Sequence, residues 1–439
     1  MLDFQTLAQR LPASFGTLYI AYSGGIDSHV LLHWLAQTPW RDRLIAVYVD
    51  HGLQAASTLW GEHGRQQAQA LGVPFRSLTV NARALPGESP EAAARNARYA
   101  ALEPLLQTGD LLATAQHRED QMETVLLQLF RGAGISGLAA MPFSTAFGKG
   151  HLIRPLLDVS KSAIETYAAQ QGLSWIEDPT NHESDFDRNF LRNEIIPFLK
   201  QRWPSLDKTI ARSARHCGEA ATLLNAWSQD ALSTMQATRD NSLALDAIAR
   251  FTPEQGHWLI RHWLQNLGLK PPTQAQLQTI YQQALNAQAT AAPEIILQGR
   301  VLKRYRQHLY CLQPQQWAPF VGEYHWPAEQ PRLALANGAV VTRQLACSGI
   351  ACTLWHTNRI TLKARRGGET LKLPNRTGHH DLKKLFQEAG IPPWEREVRP
   401  LLYLNDRLAA VPGLWIADWA WGMTADARYA LTWQASQSM

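Results

Sequence analysis

The chain is 439 residues long, about three times a typical domain, so two or three domains are expected and a single peptide-binding module is excluded. Hydrophobic residues make up 45% and charged residues 18%; charge interrupts each apolar run well before the roughly 18 residues a membrane helix needs, which excludes a membrane-spanning protein and long disorder. The net charge of +5, from 42 bases and 37 acids, is a modest excess that matters only where it is clustered.

Asp3 stands where a secretory leader would carry bases, so the expected location is cytoplasmic. Leu18–Tyr22 (LYIAY) reads as a short apolar strand, followed by a glycine turn and an apolar helix through His29–Leu35. Leu44–Asp50 is a second buried strand, Ser57–Leu71 a helix and Val73–Val80 a third strand. Ser89-Pro90-Glu91 opens another helix with a capping residue and an early proline, and Asp110–Ala115 returns to strand. This alternation predicts a doubly wound, mainly parallel α/β sheet, Rossmann-like, over residues 1–215, with ligands bound beyond the carboxyl ends of the strands.

Past about residue 205 the pattern becomes helical, over Leu206–Thr234 and Gln255–Ala292, with a hairpin in Glu294–Leu312 turning near Gly299. That defines a mostly helical module at 216–315. A connector rich in proline and tryptophan, Gln313–Gln330, leads to a small α/β domain at 330–439, with strands near Ile360–Ala364 and Arg399–Tyr403 and a helix at Leu382–Ala389. The 16 tryptophans are assigned to core and connector. The four cysteines, Cys217, Cys311, Cys347 and Cys352, form no CxxC pair and leave the first 216 residues without a thiol, which argues against a disulfide framework or a cysteine metal site.

The sharpest chemical signal is Ser23-Gly24-Gly25-Ile26-Asp27-Ser28, between a strand and a helix. Two glycines admit an anion to the backbone, the helix start offers N–H groups, and the hydroxyls of Ser23 and Ser28 are further candidate donors. No Lys-Ser/Thr follows, so this is not a Walker A loop. The pattern resembles the loop of PP-loop ATP pyrophosphatases, which would make residues 23–28 the ATP site and Asp27 a catalytic residue and Mg²⁺ partner. The alternative is an ordinary Gly-Gly turn with a Ser-Asp cap.

A second signal is Thr114–Thr124 (TAQHREDQMET), a strand end running into a helix. Asp120 and Glu123 share a helical face beside His117; they could hold an ammonium and accept its proton, or merely complement the helix start. Arg188 and Arg192, four apart with Asn189 beside them, could clamp a phosphate or carboxylate, or form a solvated face. Gly132–Gly137 fits GxGxxG but follows a helix instead of a strand, so a dinucleotide fingerprint is rejected there and a glycine-terminated helix is the plain reading. Near the C-terminus, Arg359–Lys384 carries eight Lys or Arg against two acids. Arg365, Arg366, Lys383 and Lys384, with Trp394 as a stacking surface, suit RNA, the alternative being a solvated face.

Further motifs occur in order with these: Val49-Asp50-His51-Gly52-Leu53, Glu91-(x)3-Arg95-(x)2-Arg98-Tyr99, Arg131-Gly132, Arg154-Pro155-Leu156-Leu157, Glu177-Asp178-(x)2-Asn181 and Asp187-Arg188-Asn189-(x)2-Arg192. The ordered set resembles the tRNA(Ile)-lysidine synthetase family, densely over the first 200 residues and again at Asp381–Trp394. Two positions depart from the usual family form: Glu119 stands for an aspartate and Gln116 for a frequent histidine. The resemblance implies an ATP-dependent ligase that adenylates the wobble cytidine of a CAU anticodon in tRNA(Ile) and attaches free L-lysine at C2, converting an AUG reader into an AUA reader. It implies ATP and Mg²⁺ as cofactors, catalysis by Asp27, Asp120 and Glu123, and substrate contacts from His117, Arg131, Arg188, Asn189 and Arg192. It leaves a homodimer open. A PP-loop thiolase would need cysteines that the first 216 residues lack, and a non-catalytic RNA-binding protein would not require Asp27, Asp120 and Glu123.

Overall fold

A computed structural model describes residues 3–50, 57–83, 90–177, 187–235, 242–286, 293–421 and 427–436. It divides into two units, Met1–Asn225 and Ala226–Met439. The first opens with α1 (Phe4–Arg10), β1 (Leu18–Tyr22), α2 (Ile26–Ala36), β2 (Leu44–Asp50), α3 (Ser57–Ala70) and β3 (Phe75–Thr79). It continues with α4 (Pro90–Leu102), β4 (Leu111–Ala113), α5 (Arg118–Phe130), α6 (Ile135–Leu138), β5 (Ser144–Phe147), β6 (Gly150–Ile153) and α7 (Lys161–Gln170). Helices α8 (Asp187–Phe190), α9 (Ile196–Arg202) and α10 (Leu206–Met235) follow, the last crossing the division between units.

Among the described residues the sheet has the order β3-β2-β1-β4-β6-β5, parallel except for the antiparallel edge strand β5. Both faces are covered, and the period of two in β1 shows how. Leu18, Ile20 and Tyr22 enter a core with Leu31 and Leu35 of α2 and Ile164 of α7, while Tyr19 enters the opposite core with Leu102 of α4 and Leu112. Buried Asp110 staples the amino ends of β1 and β4, accepting from the Thr17 N–H at 2.7 Å and the Gln107 N–H at 2.9 Å. With Leu18 opposite Leu111 and Ile20 opposite Ala113, the chain order reverses between β1 and β4, and their carboxyl ends open a crevice there.

In the second unit the predicted run Gln255–Ala292 is two helices, Pro253–Asn266 and Gln274–Asn286, separated near Gly268, whose φ of 80° ends the first. The hairpin turns at Gly299 as expected, and a second turn at Arg306 adds a further antiparallel strand, His308–Leu312. The C-terminal region mixes short helices with antiparallel sheets of five, four and two strands among the described residues. Its core holds Trp326 and Trp355 edge to face at 5.0 Å.

Candidate active site

The loop after β1 is an open cradle. Gly24 has φ of 88°, a conformation that favours glycine, and a Cβ there would come within 3.3 Å of Ile176 Cδ1. The Gly24 carbonyl accepts from the Ile176 N–H at 3.0 Å, which backs the loop with the segment after α7. Gly25 caps α2 without a side-chain bond, and the first helical bond is His29 N–H to the Gly25 carbonyl. Ile26, Asp27 and Ser28 therefore present N–H groups ahead of the hydrogen-bonded helix, as an anion needs. Ser28 corrects one expectation: buried, it accepts from the Ser23 N–H at 3.1 Å and donates to the Gly25 carbonyl at 3.0 Å, so its hydroxyl holds the loop's shape. Ser23 is exposed.

Across the crevice, the end of β4 delivers His117 as the N-cap of α5. Asp120 completes a capping box, its Oδ2 accepting from the His117 N–H at 2.9 Å. His117 is 4% exposed, and its Nε2 lies 3.8 Å from Asp27 Oδ1 and 3.5 Å from Asp120 Oδ2. Burial alone would lower its pKa, but Glu119, Asp120 and Asp27 outweigh burial and raise it. Glu119 ties several groups together: Oε2 lies 3.2 Å from His117 Nδ1 and accepts from the Lys161 N–H at 2.9 Å, and Oε1 lies 3.5 Å from Lys200 Nζ. Although burial opposes it, these partners hold the Glu119 carboxyl down at about 2. The longer arm of this residue thus serves positioning. Asp27 is paired with Lys161, Nζ to Oδ1 at 2.7 Å.

Asp120 and Glu123 do share a face, as the spacing predicts, but they are joined by a cation of the protein itself. Arg192 grips Glu123 through Nε to Oε1 at 2.7 Å and Nη2 to Oε2 at 2.9 Å, and reaches Asp120 Oδ1 at 2.9 Å. Arg188 Nε stands 3.6 Å from Glu123 Oε2, and its Nη2 donates to Thr124 Oγ1 at 3.2 Å. The arginine pair expected to clamp a phosphate or carboxylate ligand is turned onto these acids. The reason is burial: Glu123 is 1% exposed, its pKa is raised by desolvation, and an unpaired carboxylate there would be costly. Between α8 and α9 the turn Leu191–Ile195 is wound as a π-helix. Pro197 follows, with no N–H for the carbonyl four residues back, which accounts for the widened turn around Arg192. Asn189 lies half-buried on the same helical run.

Arg131 does not join the cluster. It is exposed at the far end of α5, eleven residues or roughly 16 Å along the axis from Asp120. There Gly132 N–H bonds Leu129 O and Ala133 N–H bonds Gln128 O, a Schellman ending, so the GxGxxG match begins as a helix terminator. Sequence reasoning missed Lys161 and Lys200. Ser160, which caps α7 by accepting from the Ala163 N–H, was the local signal that a helix start follows β6. His51, Gly52, Leu53, Asp178, Asn181 and the side chain of Glu91 lie outside the described residues.

In the second unit, Lys383 and Lys384 are exposed on the helix Leu382–Glu388, and Arg366 is exposed nearby. Arg365 is half-buried, 3.6 Å from Glu369. The stacking surface expected at Trp394 is absent: the ring is 8% exposed and sits edge-on to Tyr310 at 5.1 Å and Tyr305 at 6.1 Å. Phe386 is fully buried. Among the described residues no helix is long and apolar enough to cross a membrane.

An anion cradle at the switch point of a parallel sheet agrees with the match of residues 3–199 to the PP-loop domain family, and the protein is a PP-loop enzyme. Residues 243–310 match the TilS substrate binding domain and residues 360–433 the TilS substrate C-terminal domain. The tRNA(Ile)-lysidine synthase of Methylococcus capsulatus is 40% identical over 406 residues, 92% of either chain. That of Pseudomonas syringae is 41% identical over 421 residues, 93% of this chain and 91% of the other. Among solved structures, the U34-tRNA thiolase NcsA from Methanococcus maripaludis aligns with a TM-score of 0.41 at 16% identity, over 48% of this chain and 76% of that one. A TILS C-terminal domain aligns with a TM-score of 0.23 at 24% identity, over 27% of this chain and all of that one. The chain belongs to the tRNA(Ile)-lysidine synthase family, whose members are ATP-dependent ligases.

Proposed function

We propose that the protein joins lysine to the wobble cytidine of a CAU-anticodon tRNA(Ile) in two steps at the crevice between β1 and β4, changing its codon from AUG to AUA. The observation that supports this reading is the 3.8 Å approach of His117 Nε2 to Asp27 Oδ1, at which the start of α5, with Asp120, meets the loop after β1. First, the C2 oxygen of cytosine attacks the α-phosphorus of ATP; the new O–P bond replaces the bond to the departing pyrophosphate. The N–H groups at the start of α2 hold the phosphates. Next, the lysine side-chain amine, having lost its ammonium proton, attacks C2; a C–N bond forms and the C2–O bond breaks, releasing AMP.

Asp120 and Glu123 would hold the ammonium, displacing Arg192 cation for cation. The raised pKa of Glu123 suits it to take the proton. His117, Arg188 and Asn189 would contribute further substrate contacts, and the displaced Arg192 would then be available to an anionic part of the substrates. Among the described residues no group of three His, Cys, Asp or Glu forms a metal cage. Mg²⁺ needs one or two carboxylates and phosphate oxygens, and Asp27 is the residue that would hold it. When bound it would neutralise phosphate charge. The modules at 216–315 and 330–439 would hold the tRNA body, with Arg365, Arg366, Lys383 and Lys384 toward its phosphates. Such work belongs to the cytoplasm.

The test is incubation with ATP, Mg²⁺, radiolabelled lysine and tRNA bearing a CAU anticodon, followed by mild alkali to strip aminoacyl esters. Alkali-stable label in RNA is expected. Pyrophosphate release without stable label would overturn lysine as the acceptor, and RNA binding without pyrophosphate release would favour a non-catalytic binder.

A further inference from the structure

Lys161 belongs to no motif that announced the site, yet its ammonium reaches into the nucleotide cradle, 2.7 Å from Asp27 Oδ1. We propose that Lys161 binds the β,γ-phosphates of ATP and the pyrophosphate that leaves, and that Glu119 aims it there. The inference rests on the adenylation reading above and extends it to a residue no motif named.

Asp27 lies in the first turn of α2, where an anion is to be bound, and a lone carboxylate there would repel a triphosphate. A lysine ammonium on that carboxylate removes the repulsion. It also has three N–H donors, of which Asp27 takes one, leaving donors for phosphate oxygens.

Both side chains of the Asp27–Lys161 pair are 32% exposed, within reach of a ligand from solvent. The Arg118–Asp207 pair in the same unit is 17% and 8% exposed, as a pair that only fastens helices together should be.

Lys161 is the first residue of α7, and Glu119 Oε2 accepts its backbone N–H at 2.9 Å. The same carboxylate oxygen lies 3.2 Å from His117 Nδ1, so one acid fixes both the imidazole and the lysine that face Asp27. Glu119 acts through these two groups and is a positioning residue. As the α-phosphorus to oxygen bond breaks, charge builds on the departing pyrophosphate, and a fixed ammonium beside it stabilises that charge.

Pyrophosphate and AMP, each with Mg²⁺, are the probes, titrated by calorimetry into the full-length wild type, Lys161→Met and Lys161→Arg. Loss of a charge-assisted contact should weaken pyrophosphate binding roughly 10-fold or more in K161M, with recovery to within about 3-fold in K161R and AMP affinity unchanged. In turnover, K161M should raise KM for ATP and leave KM for lysine unchanged. Wild-type pyrophosphate affinity in K161M would overturn the proposal, as would equal loss of AMP and pyrophosphate, which would mark Lys161 as merely structural. A wild type that binds pyrophosphate but never releases it from ATP in the presence of tRNA would instead overturn the adenylation reading, and the K161M titration would still judge the phosphate site on its own.

Discussion

Acid should loosen the helix that carries the nucleotide loop, through His29. The imidazole follows Ser28 directly on α2, is 1% exposed, shares a 2.9 Å hydrogen bond between Nδ1 and the Tyr22 hydroxyl, and lies 6.3 Å from the His63 ring. Burial, with the neighbouring His63 and His33, pulls its pKa from 6.5 down to about 4. Between those values the unfolded chain binds more protons than the folded one, so stability is complete above about pH 6.5 and is lost as pH falls towards 4. A shift of 2.5 units at 1.36 kcal/mol each sets a ceiling of about 3 kcal/mol, of which about 2 kcal/mol is lost by pH 5. Hydrogen exchange of the Ile26–Ala36 amides, corrected for intrinsic rates, measures this locally at pH 7 and pH 5. His29→Gln keeps a partner for Tyr22 without the titration, and its protection should change less than the wild type's by about 2 kcal/mol. Equal losses in the two proteins would refute the reasoning.

Other consequences can be checked separately. Arg192→Met strips buried Glu123 of its bidentate partner and should destabilise the first unit by about 3 kcal/mol, with Glu123→Gln in the same chain recovering most of it; a non-rescuing double variant in thermal unfolding would count against the pair. Gly24→Ala, at φ of 88° and against Ile176, should cost about 1–2 kcal/mol and weaken ATP binding, which calorimetry reads directly. Asp120→Asn should abolish lysine attachment while tRNA-dependent pyrophosphate release continues, measured by parallel label and pyrophosphate assays. Charge reversal at both Lys383 and Lys384 should weaken tRNA binding and lower the slope of log K against log salt by roughly 1–2; an unchanged slope would remove both lysines from the interface.

Much of the catalytic unit is legible from local pattern. LYIAY alternates sides of a sheet, two glycines precede a helix start, and Asp120 and Glu123 sit three apart, so the β–loop–α unit, the cradle and the acidic face follow from rules that act within a few residues. Pro197 even marks where the helix around Arg192 must widen.

Partners distant in sequence were decided by tertiary structure. β1 pairs with β4, some ninety residues on, and only that adjacency sets His117 against Asp27. Lys161 lies 134 residues from Asp27, and Arg192 69 residues from Glu123. An ion pair is chosen after the backbone has packed, by whichever cation the fold carries to a buried acid, and periodicity holds no record of it. Trp394 followed the same logic: its sequence neighbours suggested an open stacking ring, and packing against Tyr305 and Tyr310 buried it. Sequence by itself thus determined the kinds of chemical group in this protein and their local geometry. The tertiary structure decided which of them meet, because burial and strand adjacency are properties of the whole folded chain.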